Sequence, residues 1–85
     1  MESGREMEFQ NMTLNFLKKN DKATIIKIDT NDMHKLRKMA AFGIMPGADI
    51  IVLGKYPAFL LRIGFTEVAL DKDIASCIIV ERRKN

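Results

Sequence analysis

The chain has 85 residues and a mass of 9.7 kDa, with 14 Lys and Arg against 11 Asp and Glu and 47% hydrophobic residues. This length excludes a multidomain enzyme, and the hydrophobic content excludes a disordered tail. A single cysteine, Cys77, excludes an intramolecular disulfide, so we expect a reducing, cytoplasmic setting. The longest uncharged run, residues 39–48, is far shorter than the roughly 20 residues that span a bilayer, and we expect no membrane insertion.

Two regions differ in composition. Residues 1–11 are polar and carry three Glu, whereas a patterned sequence begins near Met12. We interpret residues 1–11 as a mobile N-terminal extension and residues 12–85 as one domain.

The first half of the domain reads as a strand followed by a helix. The segment Lys22–Ile28 is short and β-branched, and we expect a strand that is buried on both faces. Apolar residues then recur at helical spacing, which predicts a helix from about residue 32 to residue 42, capped by Thr30 or Asn31. Gly43 can adopt the left-handed conformation that ends a helix.

The second half reads as short strands. Residues 45–48 have Pro and Gly at the two central positions of a type II turn. A hairpin is expected from residues 49–53 and the alternating run 59–66, joined by a loop. A strand is predicted over residues 67–70, a polar turn or one helical turn over residues 71–75, and a last strand over residues 77–82. This order of elements predicts a mainly β fold with one or two short helices, closed into a small barrel.

The sequence contains no recognisable arrangement of catalytic residues. His34 is the only histidine, no triad surrounds it, and no glycine-rich phosphate loop exists. Cys77 begins a strand and is expected to be a small buried residue. We therefore do not expect an enzyme.

Metal ligation is an alternative that the residue types allow. Asp29, Asp32 and His34 lie close in sequence and offer oxygen and nitrogen ligands suited to Fe(II) or Zn(II), although each also fits an ordinary strand-end, helix-start or surface role. We expect no required cofactor, with weak Fe(II) or Zn(II) binding as an open alternative. A second acidic candidate set consists of Glu67, Asp71 and Asp73.

The basic character of the chain raises the question of nucleic acid. The pI is about 9.2, but aromatic residues are not interleaved with the basic clusters, so we do not expect nucleic-acid binding. A basic face would equally suit an acidic membrane surface or an acidic patch on a membrane partner.

Apolar residues at the predicted turns favour a binding function. A short barrel cannot bury all of them, and we expect Met45 and Tyr56 to be exposed anchors. We predict that the helix and the loop at residues 55–59 form a groove for a partner segment. The predicted partner-binding residues are Leu36, Met39, Met45, Tyr56, Pro57, Phe59, Lys35, Arg37 and Lys38.

One segment carries a family resemblance. Residues 36–50, LRKMAAFGIMPGADI, resemble the helix-to-strand segment of the ferrous-iron transport protein A (FeoA) family, and residues 63–80 resemble the closing half of that family. Asp21 departs from a turn glycine that is frequent in the family, and Asp71 departs from a common basic residue. The hairpin loop also lacks a longer insert found in many members.

The resemblance implies an SH3-like barrel and a cytoplasmic accessory protein of bacterial ferrous-iron uptake. Such a protein binds and modulates or assembles the membrane Fe(II) permease, which carries a cytosolic GTPase domain. It would act as a monomer or a weak homo-oligomer. The alternative that the same resemblance implies is a small transition-metal-binding or sensing module, related to the C-terminal domain of iron-dependent repressors.

Overall fold

The computed structural model describes residues 11–83, which form one six-stranded antiparallel sheet with two short helices. The strands follow the order β1-β6-β2-β3-β4-β5. Their bounds are β1 Asn11–Thr13, β2 Lys22–Ile28, β3 Asp49–Gly54, β4 Phe59–Ile63, β5 Thr66–Leu70 and β6 Ile78–Arg82. The helices are α1 Met33–Ala41 and α2 Lys72–Ala75, and a 3-10 turn spans Leu14–Phe16. The mainly β prediction is confirmed.

The predicted N-terminal extension lies almost entirely outside the described residues. Only Asn11 of that extension is described, and it begins β1 opposite Glu81 of β6. Among residues 11–83, no helix has the length and apolar character needed to cross a membrane.

β2 is buried on one face only, which corrects the prediction of burial on both. Ile25 lies in the core, whereas Ile26 is 41% exposed. The register of pairing with β6 shifts between Ile25 and Lys27, so the alternation of core-facing and solvent-facing residues changes at this bulge. As a result Ile28 packs against the core opposite buried Ile78.

The N-terminus of α1 is capped by Asp32. Its carboxylate accepts hydrogen bonds from the backbone N–H groups of His34 (2.9 Å) and Lys35 (3.3 Å). The prediction that Thr30 or Asn31 caps this helix was wrong. The Thr30 hydroxyl instead accepts a hydrogen bond from the Asp32 N–H at 3.2 Å. The helix therefore begins one residue after Asp32.

The C-terminus of α1 ends in the predicted left-handed glycine. Gly43 has a φ of +89°, and its N–H donates to the Ala40 carbonyl oxygen at 2.9 Å. The Ile44 N–H reaches the Met39 carbonyl oxygen, also at 2.9 Å. This pair of bonds is a Schellman motif, and the buried side chains of Met39 and Ile44 supply the apolar contact that accompanies it.

The type II turn that follows returns the chain to the sheet. The Ala48 N–H donates to the Met45 carbonyl oxygen at 3.1 Å, and Gly47 has a φ of +94°, as the turn type requires. The Gly47 N–H donates to the Ile25 carbonyl oxygen at 2.7 Å, and the Ile25 N–H donates to the Ala48 carbonyl oxygen at 2.8 Å. These bonds anchor the end of the helical segment to β2.

A two-residue turn joins β4 to β5. The predicted strand through residue 66 is broken at Gly64, which has a φ of +62°, and Phe65 is fully exposed at the tip of the turn. Ile63 and Thr66 pair across this turn. β5 thus folds back on β4 and becomes an edge of the sheet, since β4 is its only neighbouring strand among residues 11–83.

Candidate partner-binding groove

A groove of ≈ 380 Å³ lies between α1 and β5. Its helical wall is one face of α1, because its members are spaced by three, four and seven residues. Those members are Lys35, Lys38, Met39 and Phe42. The opposite wall consists of residues 67–71 of the edge strand, extended by Ile74 of α2.

The inner surface of the groove is apolar. Met39 is 3% exposed and belongs to the hydrophobic core, as do Val68 and Leu70 on the strand side. Phe42, which caps the C-terminus of α1, is 44% exposed at the groove. A partner side chain that covered Phe42 would remove apolar surface from water, which favours binding.

The helical side of the groove is basic. Lys35 and Lys38 line this side and are exposed, as is Arg37 outside the groove, and no ion pair within residues 11–83 involves any of the three. On the strand side, Glu67 pairs with Arg62 at 2.9 Å, and the Asp71 carboxylate accepts from the Ile74 N–H at 2.9 Å. The carboxylates of the groove are therefore engaged locally, while the lysine ammonium groups face solvent.

The predicted partner-binding residues are only partly brought together. Lys35, Lys38 and Met39 line the groove, whereas none of residues 55–59 does. This groove lies between the helix and β5, and the groove predicted between the helix and that loop stays a prediction. Tyr56 is 93% exposed in the loop, and Phe59 is 3% exposed in the core, beneath the Lys55 ammonium, which lies 5.4 Å from its ring centroid.

The remaining predicted residues lie outside this groove. Leu36 is half-buried, and Arg37, Met45 and Pro57 are exposed, but none of them lines it. Their assignment to a partner surface stays a prediction.

Sequence reasoning missed Phe42 and β5 as groove residues. The spacing of Phe42 from Lys35 and Met39 on the helix is a local signal that was available. The contribution of β5 had no such signal, because it depends on which strand lies at the edge of the sheet.

The predicted metal ligands do not form a site. Within residues 11–83, no three His, Cys, Asp or Glu side chains come close enough to hold an ion, so Asp29, Asp32 and His34 do not form a three-ligand group, and weak metal binding by any of them stays a prediction. Asp32 is engaged as the cap of α1, and His34 is exposed. The same finding covers the second acidic set of Glu67, Asp71 and Asp73.

Another cavity, of ≈ 280 Å³, is lined in part by Lys22, Arg62 and Arg83. Two of these cations already have partners: Arg83 pairs with Asp49 at 3.2 Å and Arg62 with Glu67. This cavity is also open and exposed, so it is a weaker candidate for binding than the groove.

Comparison with known proteins places the chain in a family. The FeoA domain model matches residues 12–82. An FeoA-like protein from Clostridium acetobutylicum is 28% identical, with a TM-score of 0.78 over 89% of this chain and 91% of that one. A search of curated protein sequences finds no significant match.

Two further structures share the fold. FeoA from Stenotrophomonas maltophilia, a procaryotic SH3 domain protein complexed with zinc, is 22% identical, with a TM-score of 0.74 over 86% of this chain and 96% of that one. A manganese-dependent transcriptional repressor is 24% identical, with a TM-score of 0.81 over 86% of this chain but 41% of the repressor. The similarity to the repressor thus concerns one part of it, and the predicted SH3-like fold is confirmed. The chain belongs to the FeoA domain family.

Proposed function

We propose that this chain is a cytoplasmic accessory protein of bacterial ferrous-iron uptake that binds the membrane Fe(II) permease with its GTPase domain. Membership of the FeoA domain family supports the link to iron uptake. The Stenotrophomonas protein has a suggested role as a bacterial ferrous iron transport activating factor, and its similarity to this chain supports the accessory role. The proposed role is one of binding and needs no catalysis by this chain.

The observation that carries the proposal is the groove between α1 and β5. It combines buried apolar walls with exposed Phe42 and with Lys35 and Lys38, which are the features of a site for a protein segment. Binding there changes the permease only if the groove prefers one permease conformation over another. The permease conformation that the groove prefers determines whether binding activates, inhibits or assembles the permease.

The alternative role as a metal-binding module lacks a matching set of ligands in residues 11–83. The zinc in the Stenotrophomonas complex is a property of that protein, and we do not extend it to this chain.

Binding of the full chain to the detergent-solubilised permease tests the proposal. The double variant Lys35→Glu, Lys38→Glu should bind about tenfold more weakly at low salt and with a smaller salt dependence, because two exposed attractions of up to about 1 kcal/mol each are reversed. The control is the double variant Lys18→Glu, Lys19→Glu, which changes the net charge by the same amount at exposed residues outside the groove.

Two results would contradict the proposal. One is the absence of saturable binding by the unaltered chain in either nucleotide state of the permease. The other is an equal loss of affinity in the groove variant and in the Lys18→Glu, Lys19→Glu control, since that would mean that net charge, and not the groove, determines the affinity.

A further inference from the structure

The strand wall of the groove has a free backbone edge. Ile63 and Thr66 flank the two-residue turn, so this pair exchanges both of its backbone hydrogen bonds. Bonded and non-bonded pairs alternate along an antiparallel ladder. Glu67 and Ala69 are therefore the residues of β5 whose N–H and C=O groups point away from β4.

No other backbone group satisfies these atoms within the described part of the chain. β5 has only β4 as a neighbour, and no backbone hydrogen bond from a turn, loop or cap involves Glu67 or Ala69. The exposed edge lies along the groove, because residues 67–71 form its strand wall. Two N–H and two C=O groups are thus presented to whatever fills the groove.

The helical wall determines which chain fits there. An added strand directs alternate side chains to opposite faces, so its inward residues would pack on Phe42 and Met39. The exposed ammonium groups of Lys35 and Lys38 stand beside this position and lack carboxylate partners within residues 11–83. Charge complementarity therefore favours a segment that carries carboxylates next to apolar residues.

We propose that the groove is a strand-addition site, in which an extended acidic and apolar segment of a partner protein pairs with the Glu67 and Ala69 backbone as a seventh strand. This inference rests on the proposed function to the extent that the segment belongs to the permease. The recognition chemistry itself is testable without the permease.

The first experiment uses a synthetic peptide of about ten residues in which every second residue is in turn Glu or Val and the residues between them are Thr, so that Glu and Val share one face, and a matched peptide with Lys in place of Glu. Amide NMR spectra of the full chain are recorded during titration with each peptide. The Glu peptide should shift the Glu67 and Ala69 amide resonances and slow their hydrogen exchange, and added salt should weaken its binding. The Lys peptide should bind at least about tenfold more weakly, because Lys35 and Lys38 repel its lysine side chains, whereas they attract the glutamates of the Glu peptide.

Ala69→Pro tests the backbone contact directly. Proline removes the outward N–H of residue 69, and a free edge is the place in a sheet where proline is tolerated. We expect the Glu peptide to bind about tenfold more weakly or worse, since a hydrogen bond is lost and the ring blocks the approaching strand. The matched control is Ala69→Thr, which keeps the N–H and a strand-compatible side chain and should retain binding.

A charge exchange keeps the test decisive if Ala69→Pro disturbs the fold. The double variant Lys35→Glu, Lys38→Glu leaves the strand edge intact and should reverse the preference, binding the Lys peptide more tightly than the Glu peptide. The inference is overturned if the Glu peptide leaves the β5 amides unperturbed, or if the folded Ala69→Pro variant binds as tightly as Ala69→Thr. Concentration-dependent dimerisation that Ala69→Pro abolishes would also overturn it, since the occupant would then be a second copy.

The same variants separate this inference from the proposed function. If the unaltered chain binds the Glu peptide through β5 but does not bind the permease, strand addition stands and the permease role fails. If it binds the permease and Ala69→Pro binds equally well, the permease role stands and strand addition fails.

Discussion

At the scale of single residues, Gly47 has a backbone conformation that residues with a side chain rarely adopt. Its φ is +94°, and an added Cβ would meet nothing within 4 Å. Gly47→Ala should therefore cost about 1–2 kcal/mol in the free energy of unfolding, from backbone strain alone. Urea denaturation of the purified variant measures this difference.

Gly54 offers the matched control for Gly47. A methyl group added there would also meet open space, but the φ of Gly54 lies outside the left-handed region. Gly54→Ala should leave the stability unchanged or raise it by up to about 1 kcal/mol, because alanine restricts the unfolded chain. Equal losses in the two variants would contradict the assignment of strain to the turn at Gly47.

Residue-level predictions from the sequence succeeded where the determining interactions are local. The left-handed positions of Gly43 and Gly47 follow from neighbours within a few residues, and both are confirmed. The burial of Ile26 was wrong because it depends on a bulge in the pairing of β2 with β6, a strand that is distant in sequence. No local pattern reports such a register shift.

At the scale of elements, the stability of α1 depends on its N-terminal cap. Asp32→Ala should lower the free energy of unfolding by about 1 kcal/mol, because the His34 and Lys35 N–H groups lose their acceptor. Asn31→Ala is the matched control at an exposed neighbour and should change the stability by less than about 0.5 kcal/mol. Urea denaturation followed by circular dichroism compares them.

The opposite order of effects would refute the cap. A larger loss for Asn31→Ala than for Asp32→Ala would restore the cap that the sequence suggested. It would also free the Asp32 carboxylate for another role.

Most elements were predictable from their own sequence, and one part was not. The bounds of β2 match the prediction, and those of α1, β3, β5, α2 and β6 lie within a residue or two of theirs, whereas the strand predicted through residue 66 ends at Ile63. β1 and the following 3-10 turn were missed because each has three residues, too few for a periodic pattern. Their importance appears only in the tertiary structure, where Leu14 and Leu17 are fully buried.

At the scale of the whole molecule, strand order creates the candidate site. β5 is adjacent to β4 and lies at the edge, and the turns after α1 hold the helix so that its Lys35 to Phe42 face lies opposite that edge. The groove therefore unites residues about 30 positions apart in sequence. The sequence indicated the helix as one wall, but it assigned the second wall to residues 55–59, because exposed apolar residues in that loop were the only local signal.

The fold also explains why the chain combines a stable core with an open site. Buried side chains from all six strands or the turns beside them form one cluster, and within residues 11–83 that cluster includes no buried polar or charged side chain. Phe42 and the lysines of α1 lie outside this cluster. Changes to them should thus alter binding with little effect on folding.

The most direct test of the account compares Phe42→Ala with Tyr56→Ala in binding of the full chain to the solubilised permease. Both variants remove an exposed aromatic ring, but only Phe42 lines the groove. We predict that Phe42→Ala weakens binding by about tenfold or more, as expected for loss of a central apolar contact of at least about 1.4 kcal/mol, while Tyr56→Ala binds as the unaltered chain does. Loss of binding in Tyr56→Ala with full binding by Phe42→Ala would contradict the groove and place the partner on the β3–β4 loop.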